Sequence, residues 1–226
     1  MTTIPELHAR AQKAGIPLVA NANVADLLHH GDREVILDAA EAAVEQLLAA
    51  LLIDPASDPN TADTAKRVAR MFVNEVFAGR YERCPELTEF PNGKRLDELY
   101  TLGPVAIRSA CAHHLCPVEG SLWVGVIPGD RIIGISKFSR LARWITSRPQ
   151  IQEEAVVQMA DAIEKAIEPR GLIVFMKLRH SCMTWRGVRE HDTSMTTSVV
   201  RGLLRERPAA RAEFFSSIGQ RGHYGE

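Results

Sequence analysis

The chain has 226 residues, of which 46% are hydrophobic and 24% charged, and 27 Lys and Arg against 28 Asp and Glu give a formal net charge of -1. This composition is that of an ordinary globular protein and excludes a collagen, a coiled-coil rod and a disordered tail. A protein that binds nucleic acid mainly through phosphates carries a basic excess, which this chain lacks. We therefore expect no nucleic-acid partner, and any phosphate site must be local.

The start of the chain lacks the pattern of a signal peptide, because Glu6 stands where a positive region is required and no apolar region follows. The longest strongly apolar run, residues 47–53, is far shorter than the ~18 residues of a membrane span. We therefore expect a soluble, cytoplasmic protein that contacts no membrane. In a reducing compartment its four cysteines, Cys84, Cys111, Cys116 and Cys182, indicate metal binding or reactivity rather than disulfides.

The first part of the chain predicts helices. Residues 1–31 show no sustained periodicity, and we interpret them as an N-terminal extension with at most one short helix. From Asp32, apolar pairs recur every four residues, which predicts an amphipathic helix with Asp32 as its cap. A second helix is predicted over residues 65–78, ending at Gly79. Residues 32–80 thus form an N-terminal helical region, and residues 81–226 form the rest.

The remainder of the chain contains segments with helical periodicity and segments with the alternation of a strand. Residues 80–100 predict a loop with a short helix near residues 96–100. The alternation over 122–127, the turn at Pro128 to Asp130 and the apolar residues up to 135 predict a hairpin. Further predictions, in chain order, are helices over 138–146 and 150–167, strands over 172–180 and 194–200, and a C-terminal helix over 208–218. This order indicates an α+β fold with an antiparallel sheet.

One short segment holds four potential metal ligands within six residues: Cys111, His113, His114 and Cys116. Zinc binds thiolate and imidazole readily, and a catalytic zinc site typically has three protein ligands. Cys111 and His114 could supply two of them. The third could come from His180 or Cys182, which share one face if the strand over 172–180 continues.

The metal interpretation has alternatives. A lone Cys or His is more often a packed or solvated residue than a ligand, although Cys-x-x-His together with a distant His-x-Cys favours a metal. A closed structural zinc site, completed by Cys116, would leave no position for an activated water.

Phosphate and base recognition also have candidates. Ser136, Lys137 and Arg140 follow the predicted hairpin, and Arg186 follows Cys182. Cationic side chains and a hydroxyl bind polyphosphate well, although arginines on helix surfaces are commonplace. The residues from Gln152 to Glu154 could be a solvated first helical turn, or a carboxylate that accepts the N–H groups of a guanine edge.

These residues resemble GTP cyclohydrolase I of the zinc-dependent type, a member of the tunnelling-fold group. The resemblance spans residues 32–218, and a helical segment over residues 64–68 is also similar. Four blocks carry it: Cys111-Ala112-His113-His114-Leu115-Cys116-Pro117, Gly134-Ile135-Ser136-Lys137, Gln150-Ile151-Gln152-Glu153 and the run from His180 to Val188.

The resemblance implies a fold and an assembly. Residues 81–226 would be a tunnelling-fold catalytic domain with a C-terminal helix and tail, preceded by the N-terminal helical region. Its antiparallel sheet would carry helices on one face, and oligomerisation would close the sheets into a barrel. Family members form decamers of two pentamers, with active sites at subunit interfaces.

The resemblance also implies the chemistry. Zinc bound by Cys111, His114 and Cys182 would activate a water that attacks C8 of the guanine of GTP. The imidazole ring would open, formate would leave, and the ribose would rearrange and close to 7,8-dihydroneopterin triphosphate. His113 and His180 would carry the proton transfers.

Substrate contacts follow from the same resemblance. Glu153 would anchor the guanine, with Gln152 beside it. The triphosphate would be held by Ser136, Lys137, Arg140 and Arg186, and Arg67 would reach in from a neighbouring subunit.

The chain departs from the family pattern in one region, where Ala112 replaces the usual Glu and Cys116 an aliphatic residue, and where Val118, Glu119 and Ser121 replace aromatic and basic residues. Loss of a carboxylate near the ligands can alter the orientation of a catalytic His. Two other functions therefore stay open: a divergent paralogue that stops after attack at C8 or diverts the product, and a non-catalytic nucleotide-binding protein with a structural zinc.

Overall fold

The computed structural model describes residues 2–219, and the chain divides into two compact units, residues 1–83 and 84–226. Residues 220–226 of the tail that is expected after the C-terminal helix lie outside the described residues. Across the described range, no helix combines the length and the apolar character needed to cross a membrane.

The N-terminal unit is helical. It contains α1 (Ile4–Lys13), a 3-10 turn (Ala25–Leu27), α2 (Asp32–Ala50), α3 (Thr64–Arg70), a π-helical segment (Met71–Val76) and α4 (Ala78–Tyr81). Thr3 and Glu6 form a reciprocal capping box at the start of α1. A small core of Ala11, Val24 and Leu27 packs α1 against the segment that follows it. Within residues 2–31 there is thus one α-helix, which agrees with the prediction of at most one short helix.

The predicted helix from Asp32 is confirmed, but its cap is not Asp32. Gly31, with φ of 89°, is the N-cap, and Asp32 is the first helical residue. The Asp32 side chain is buried, and its carboxylate accepts hydrogen bonds from the His29 N–H and the Arg10 guanidinium. Burial alone would raise the pKa of this carboxyl, but these hydrogen bonds hold the pKa below its ordinary value. The Asp32 carboxylate therefore forms an ion pair with the distant Arg10 instead of capping the helix.

The second predicted helix starts where expected but does not end at Gly79. Phe77 N–H bonds to the Phe72 carbonyl, five residues back, so the helix widens into a π turn before α4 carries the chain to Tyr81. Gly79 is buried inside α4, and its carbonyl accepts the Asn23 side-chain amide at 2.8 Å. This long-range partner satisfies the backbone at Gly79 without ending the helix there.

The C-terminal unit is α+β. Its strands are β1 (Glu89–Pro91), β2 (Tyr100–Cys111), β3 (Pro117–Ile127), β4 (Arg131–Ile133), β5 (Pro149–Gln150), β6 (Gly171–His180) and β7 (Met195–Gly202). Its helices are α5 (Ile135–Thr146), α6 (Gln152–Ile167), α7 (Ser181–Thr184), α8 (Leu203–Glu206) and α9 (Pro208–Gly219). These positions confirm the predicted helices over 138–146, 150–167 and 208–218 and the strands over 172–180 and 194–200.

A five-stranded sheet in the order β5-β2-β3-β6-β7 organises this unit. The neighbours pair antiparallel except β2 and β5, which run parallel. The predicted hairpin of β3 and β4 is wrong, because β4 pairs with β1 in a separate two-stranded sheet. Both edges of β3 are already occupied by β2 and β6, so β4 has no edge of β3 to join. The predicted helix near residues 96–100 is also absent, since Tyr100 begins β2.

Helices lie on both faces of the sheet. On one face, α5 and α6 pack against Leu122, Val124 and Met176 in the main core. On the other face, Phe214 of α9 packs with Ile127 and Ile173. The expectation of helices on one face is therefore wrong. Gly125 gives the reason, since a Cβ atom there would lie 2.5 Å from the Phe214 ring.

Candidate active site

The loop between β2 and β3 folds back on itself. Cys111 ends β2, its N–H donates to the Cys116 carbonyl at 2.9 Å, and its carbonyl accepts the Leu115 N–H at 2.8 Å. Leu115 adopts a left-handed conformation with φ of 54°. These bonds close a tight turn that returns His114 to the side of Cys111.

The end of β6 brings the third candidate ligand, Cys182, to this turn. Val118 on β3 pairs with His180, the last residue of β6, so β3 holds the ends of β2 and β6 together. The chain then turns into α7, where the Trp185 N–H bonds to the Ser181 carbonyl at 3.0 Å. Cys182 therefore lies on a helical turn. The strand does not continue through Cys182, so the condition for His180 and Cys182 to share one strand face is not met.

Cys111, His114 and Cys182 form a cluster, in which one ligand atom from each residue lies within 4.8 Å of the other two. Two thiolates and an imidazole around a tetrahedral zinc require sulfur–sulfur separations of about 3.8 Å, which this cluster can adopt. Burial and then the nearby Cys111 raise the pKa of Cys182, so a cation is what would favour its thiolate. The donor set and the spacing fit zinc.

Cys116 is outside this cluster, although it is buried and lies close to Cys182. Among residues 2–219, the mutually close ligand atoms are those of three residues. Within this part of the chain the cluster thus holds three candidate ligands, and Cys116 does not complete it to four.

Two polar residues border the cluster. His113 is exposed, and its Nδ1 lies 3.7 Å from the Cys111 sulfur. Arg186 places Nη1 3.0 Å from Nε2 of His114. A guanidinium only donates, so Nε2 of His114 is the acceptor in this contact.

His180 is held by Gln152 at the start of α6. Nε2 of His180 lies 2.9 Å from the Gln152 Oε1 atom. The amide nitrogen of Gln152 donates to the carbonyls of Met176 and Met195 and to the Thr197 hydroxyl, at 3.3, 3.1 and 3.0 Å. Carbonyls need a donor, so these contacts fix the amide with its oxygen toward His180. Nε2 of His180 therefore carries the proton, and Nδ1 is the basic nitrogen.

Glu153 follows Gln152 but is exposed, whereas Gln152 is buried. Burial lowers the pKa of His180, and the nearby Glu153 carboxylate partly opposes that shift. The first turn of α6 thus carries two side chains that point in different directions. Gln152 faces inward toward the sheet, and Glu153 supplies an exposed carboxylate near His180.

The remaining candidate residues lie on other helices. Ser136, Lys137 and Arg140 occupy the first two turns of α5, where spacings of three and four residues place them on one side. Arg67 lies on α3 in the N-terminal unit, where it is exposed and pairs with Asp63 at 3.3 Å.

The sequence interpretation missed two contacts, Gln152 with His180 and Arg186 with His114. The family resemblance implied a place for Gln152 beside the guanine. Its amide nitrogen instead bonds to β6 and β7, 24 to 45 residues away in the chain. Helical periodicity marks Gln152 as the residue before a buried stripe, but no local pattern signals partners at such separations.

Comparisons with known proteins agree with this geometry. Residues 40–219 match the family model described as GTP cyclohydrolase I. GTP cyclohydrolase 1 of Mycobacterium bovis is 43% identical over 181 residues, covering 79% of this chain and 89% of that protein. The enzyme of Mycolicibacterium paratuberculosis is 39% identical over 203 residues, covering 89% and 98%. That of Shewanella sp. (strain ANA-3) is 35% identical over 180 residues, covering 79% and 83%. The chain belongs to the GTP cyclohydrolase I family.

Proposed function

We propose that this chain is a zinc hydrolase that converts GTP and one net water into formate and 7,8-dihydroneopterin triphosphate. Membership of the GTP cyclohydrolase I family supports GTP as the substrate. The observation that carries the proposal is the cluster of Cys111, His114 and Cys182. His113 contacts Cys111, and His180 precedes Cys182 by two residues. A three-ligand site of this kind serves hydrolysis, because one coordination position stays open.

Cys111, His114 and Cys182 would hold the zinc, which when bound supplies Lewis acidity that makes water a nucleophile near neutral pH. The protein's own part is to hold the three ligand side chains in position. Cys111 is buried at the end of β2, and Cys182 is half-buried on α7, so both thiols are held by rigid elements. The turn that contains Leu115 sets the direction of His114.

His180 and His113 would move protons. Gln152 keeps Nε2 of His180 protonated, so Nδ1 is the nitrogen that can accept a proton from the substrate. Burial keeps this imidazole neutral, which is the state a base requires. His113 is exposed and is free to meet a different part of the substrate.

Substrate recognition would be divided among three elements. Glu153 would accept two N–H groups of the guanine, a contact that its exposure and its position beside His180 permit. Arg186 would bind the triphosphate, with Ser136, Lys137 and Arg140 on α5. Arg67, exposed on α3, would complete the site of a neighbouring subunit.

The proposal includes assembly. In the five-stranded sheet β7 is an edge strand, and the two residues of β5 cover only the end of β2. Open edges of this length favour pairing with further copies, which would close a tunnelling-fold barrel in a decamer of two pentamers. We also propose a cytoplasmic location, since thiol ligands stay reduced there and GTP is available.

The test is product analysis of the zinc-loaded full chain incubated with GTP, with formate quantified in the same sample by mass spectrometry. Dihydroneopterin triphosphate and formate in equal amounts are expected. A His113→Ala variant serves as the control, because it keeps all three metal ligands and should lose turnover.

Other products would reject the proposal. Ala112 supplies no carboxylate beside His113, and its N–H donates to the Gln150 carbonyl at 3.2 Å. A ring-opened purine without formate would therefore identify the diverted paralogue. Unchanged GTP with a fully loaded metal site would point to another purine nucleotide.

A further inference from the structure

A polar groove crosses the sheet on the face opposite to α5 and α6. Its volume is about 610 Å³, and its lining includes Arg108 of β2, Glu119 and Ser121 of β3, and Lys177 and Arg179 of β6. None of these residues belongs to the metal cluster or to the proposed substrate contacts.

Strand register fixes how these side chains are arranged. Arg108 lies opposite Glu119, and Glu119 lies opposite Arg179, so the three form one row across the sheet. The next row contains Ala106, Ser121 and Lys177. Residues directly opposite in neighbouring strands point to the same face, so both rows face the groove. Ala106 and Ser121 are small, which makes the second row a hollow between longer cationic side chains.

The groove contains more cationic side chains than carboxylates. Arg108, Lys177 and Arg179 face one carboxylate in the rows, that of Glu119, and one at the rim, that of Asp192. Within residues 2–219, none of these five residues forms an ion pair. Positive and negative side chains alternate along the row of Arg108, Glu119 and Arg179. The groove as a whole still has a net positive charge, and the Ser121 hydroxyl lies in it.

Two features make this groove a fixed shape. Arg179 donates from Nη2 to the His191 carbonyl at 3.0 Å, which ties the loop after α7 to the sheet as one wall. Gly120, between the two rows, has φ of 156°, and a Cβ atom there would lie 2.2 Å from the Lys177 carbonyl. The close approach of β3 to β6 under the groove therefore requires glycine.

We propose that this groove is a second anion site, which binds the phosphoryl groups of a polyphosphate. The Ser121 hydroxyl and the Lys177 ammonium would contact one phosphoryl group over the hollow. Arg108 and Arg179 would contact the next from the neighbouring row. Guanidinium and ammonium groups at several positions match the many acceptor oxygens of a polyphosphate better than the two oxygens of a carboxylate. This site stands on residues separate from those of the proposed GTP reaction.

The test is isothermal titration calorimetry of the zinc-loaded full chain with inorganic tripolyphosphate. The background variant carries Lys137→Ala, Arg140→Ala and Arg186→Ala, which removes the three cations of the proposed triphosphate contacts and leaves those of the groove. In that background, the double change Arg108→Gln and Lys177→Gln is expected to weaken binding about tenfold, since each exposed charge contributes up to about fivefold. All these side chains are exposed or half-buried, and thermal melting checks that the variants fold.

Glu119→Gln is the matched control with the opposite sign. It removes the negative charge between Arg108 and Arg179, so tripolyphosphate should bind severalfold more tightly. Binding that is unchanged by the double substitution, or no tightening in Glu119→Gln, would overturn the proposal. The same titration with ATP distinguishes the source of the phosphoryl groups, because binding of both probes assigns the site to nucleotide tails and binding of tripolyphosphate alone assigns it to free polyphosphate.

Discussion

Gln152 and His180 are joined by a hydrogen bond of 2.9 Å between Oε1 and Nε2, and this bond sets the tautomer of the imidazole. Gln152 reaches His180 from the first turn of α6, while its amide nitrogen is held by acceptors on β6 and β7. The orientation of His180 therefore depends on a residue that is itself buried and fixed on three sides.

Replacing Gln152 with Ala should lower kcat for formate release by about 10- to 100-fold, because His180 loses the group that fixes its orientation. The KM for GTP and the zinc content should change much less, since neither the metal ligands nor Glu153 is altered. Gln158→Ala, on the same helix, is the matched control and should keep its kcat. An equal fall in both variants, or a loss confined to KM, would show that Gln152 does not act through His180.

Replacing Cys182 with Ser should lower the zinc content by more than about tenfold and abolish turnover with it, because the cluster loses one of three ligands. Metal analysis by mass spectrometry after dialysis measures this directly. Cys116→Ala is the control, since Cys116 is buried nearby but lies outside the cluster. Loss of zinc in Cys116→Ala with zinc retained in Cys182→Ser would require a different ligand set.

Replacing Asp32 with Asn should destabilise the N-terminal unit by about 1–3 kcal/mol, because the buried carboxylate accepts bonds from Arg10 and from the His29 N–H. Chemical denaturation at pH 7 measures this change. Asp26→Asn is the matched control. Its exposed pair with Arg83 should contribute less than about 1 kcal/mol.

The same carboxylate predicts how stability depends on pH. The pKa of Asp32 is lowered in the folded state, so its contribution is fully present above the unfolded value of about 3.9. That contribution is lost as the pH falls through the lower pKa of the folded protein. Acid unfolding of the N-terminal unit should therefore be less steep in Asp32→Asn than in the unaltered chain. Parallel acid titrations of the two would contradict this assignment.

Replacing Tyr100 with Phe should leave stability unchanged at pH 7 or raise it by up to about 1 kcal/mol. The Tyr100 hydroxyl is buried and, within residues 2–219, has no hydrogen-bond partner. Burial raises its pKa to about 12, so the fold loses stability as the pH rises above the unfolded value of about 10. Urea unfolding at pH 7 and pH 11 should show a smaller alkaline loss in the variant. A large loss at pH 7 would reveal a hydrogen bond at this hydroxyl.

The sequence was most informative where periodicity is long. The stripe from Ala155 to Ile167 identified α6, and the alternation before His180 identified β6, because burial of one face dictates both patterns. The cluster of Cys111, His114 and Cys182 was predictable because Cys111 and His114 are close in sequence and Cys182 directly follows a strand. The sequence did not indicate which strands pair with each other. We predicted that β4 pairs with β3, but it pairs with β1. A strand of three residues carries too few side chains to specify its partner.

The sequence also did not predict the helix cap or the side-chain contacts between distant segments. Asp32 has the residue type of a helix cap, but Arg10 lies 22 residues earlier and recruits its carboxylate. Phe214 covers a sheet face that the helix order left open, because Gly125 provides the space. In each case the decisive partner is fixed by the tertiary structure and not by the neighbouring sequence.

The three acceptors of the Gln152 amide nitrogen include the Met195 carbonyl and the Thr197 hydroxyl, which belong to the edge strand β7. Fraying of β7 would remove two of the three acceptors that fix the amide. The amide could then rotate and present its nitrogen to His180, which would reverse the tautomer. The order of a strand at the border of the sheet is therefore thermodynamically linked to the protonation pattern of a single imidazole. Any contact that holds β7 in place therefore also holds the imidazole of His180 in its orientation.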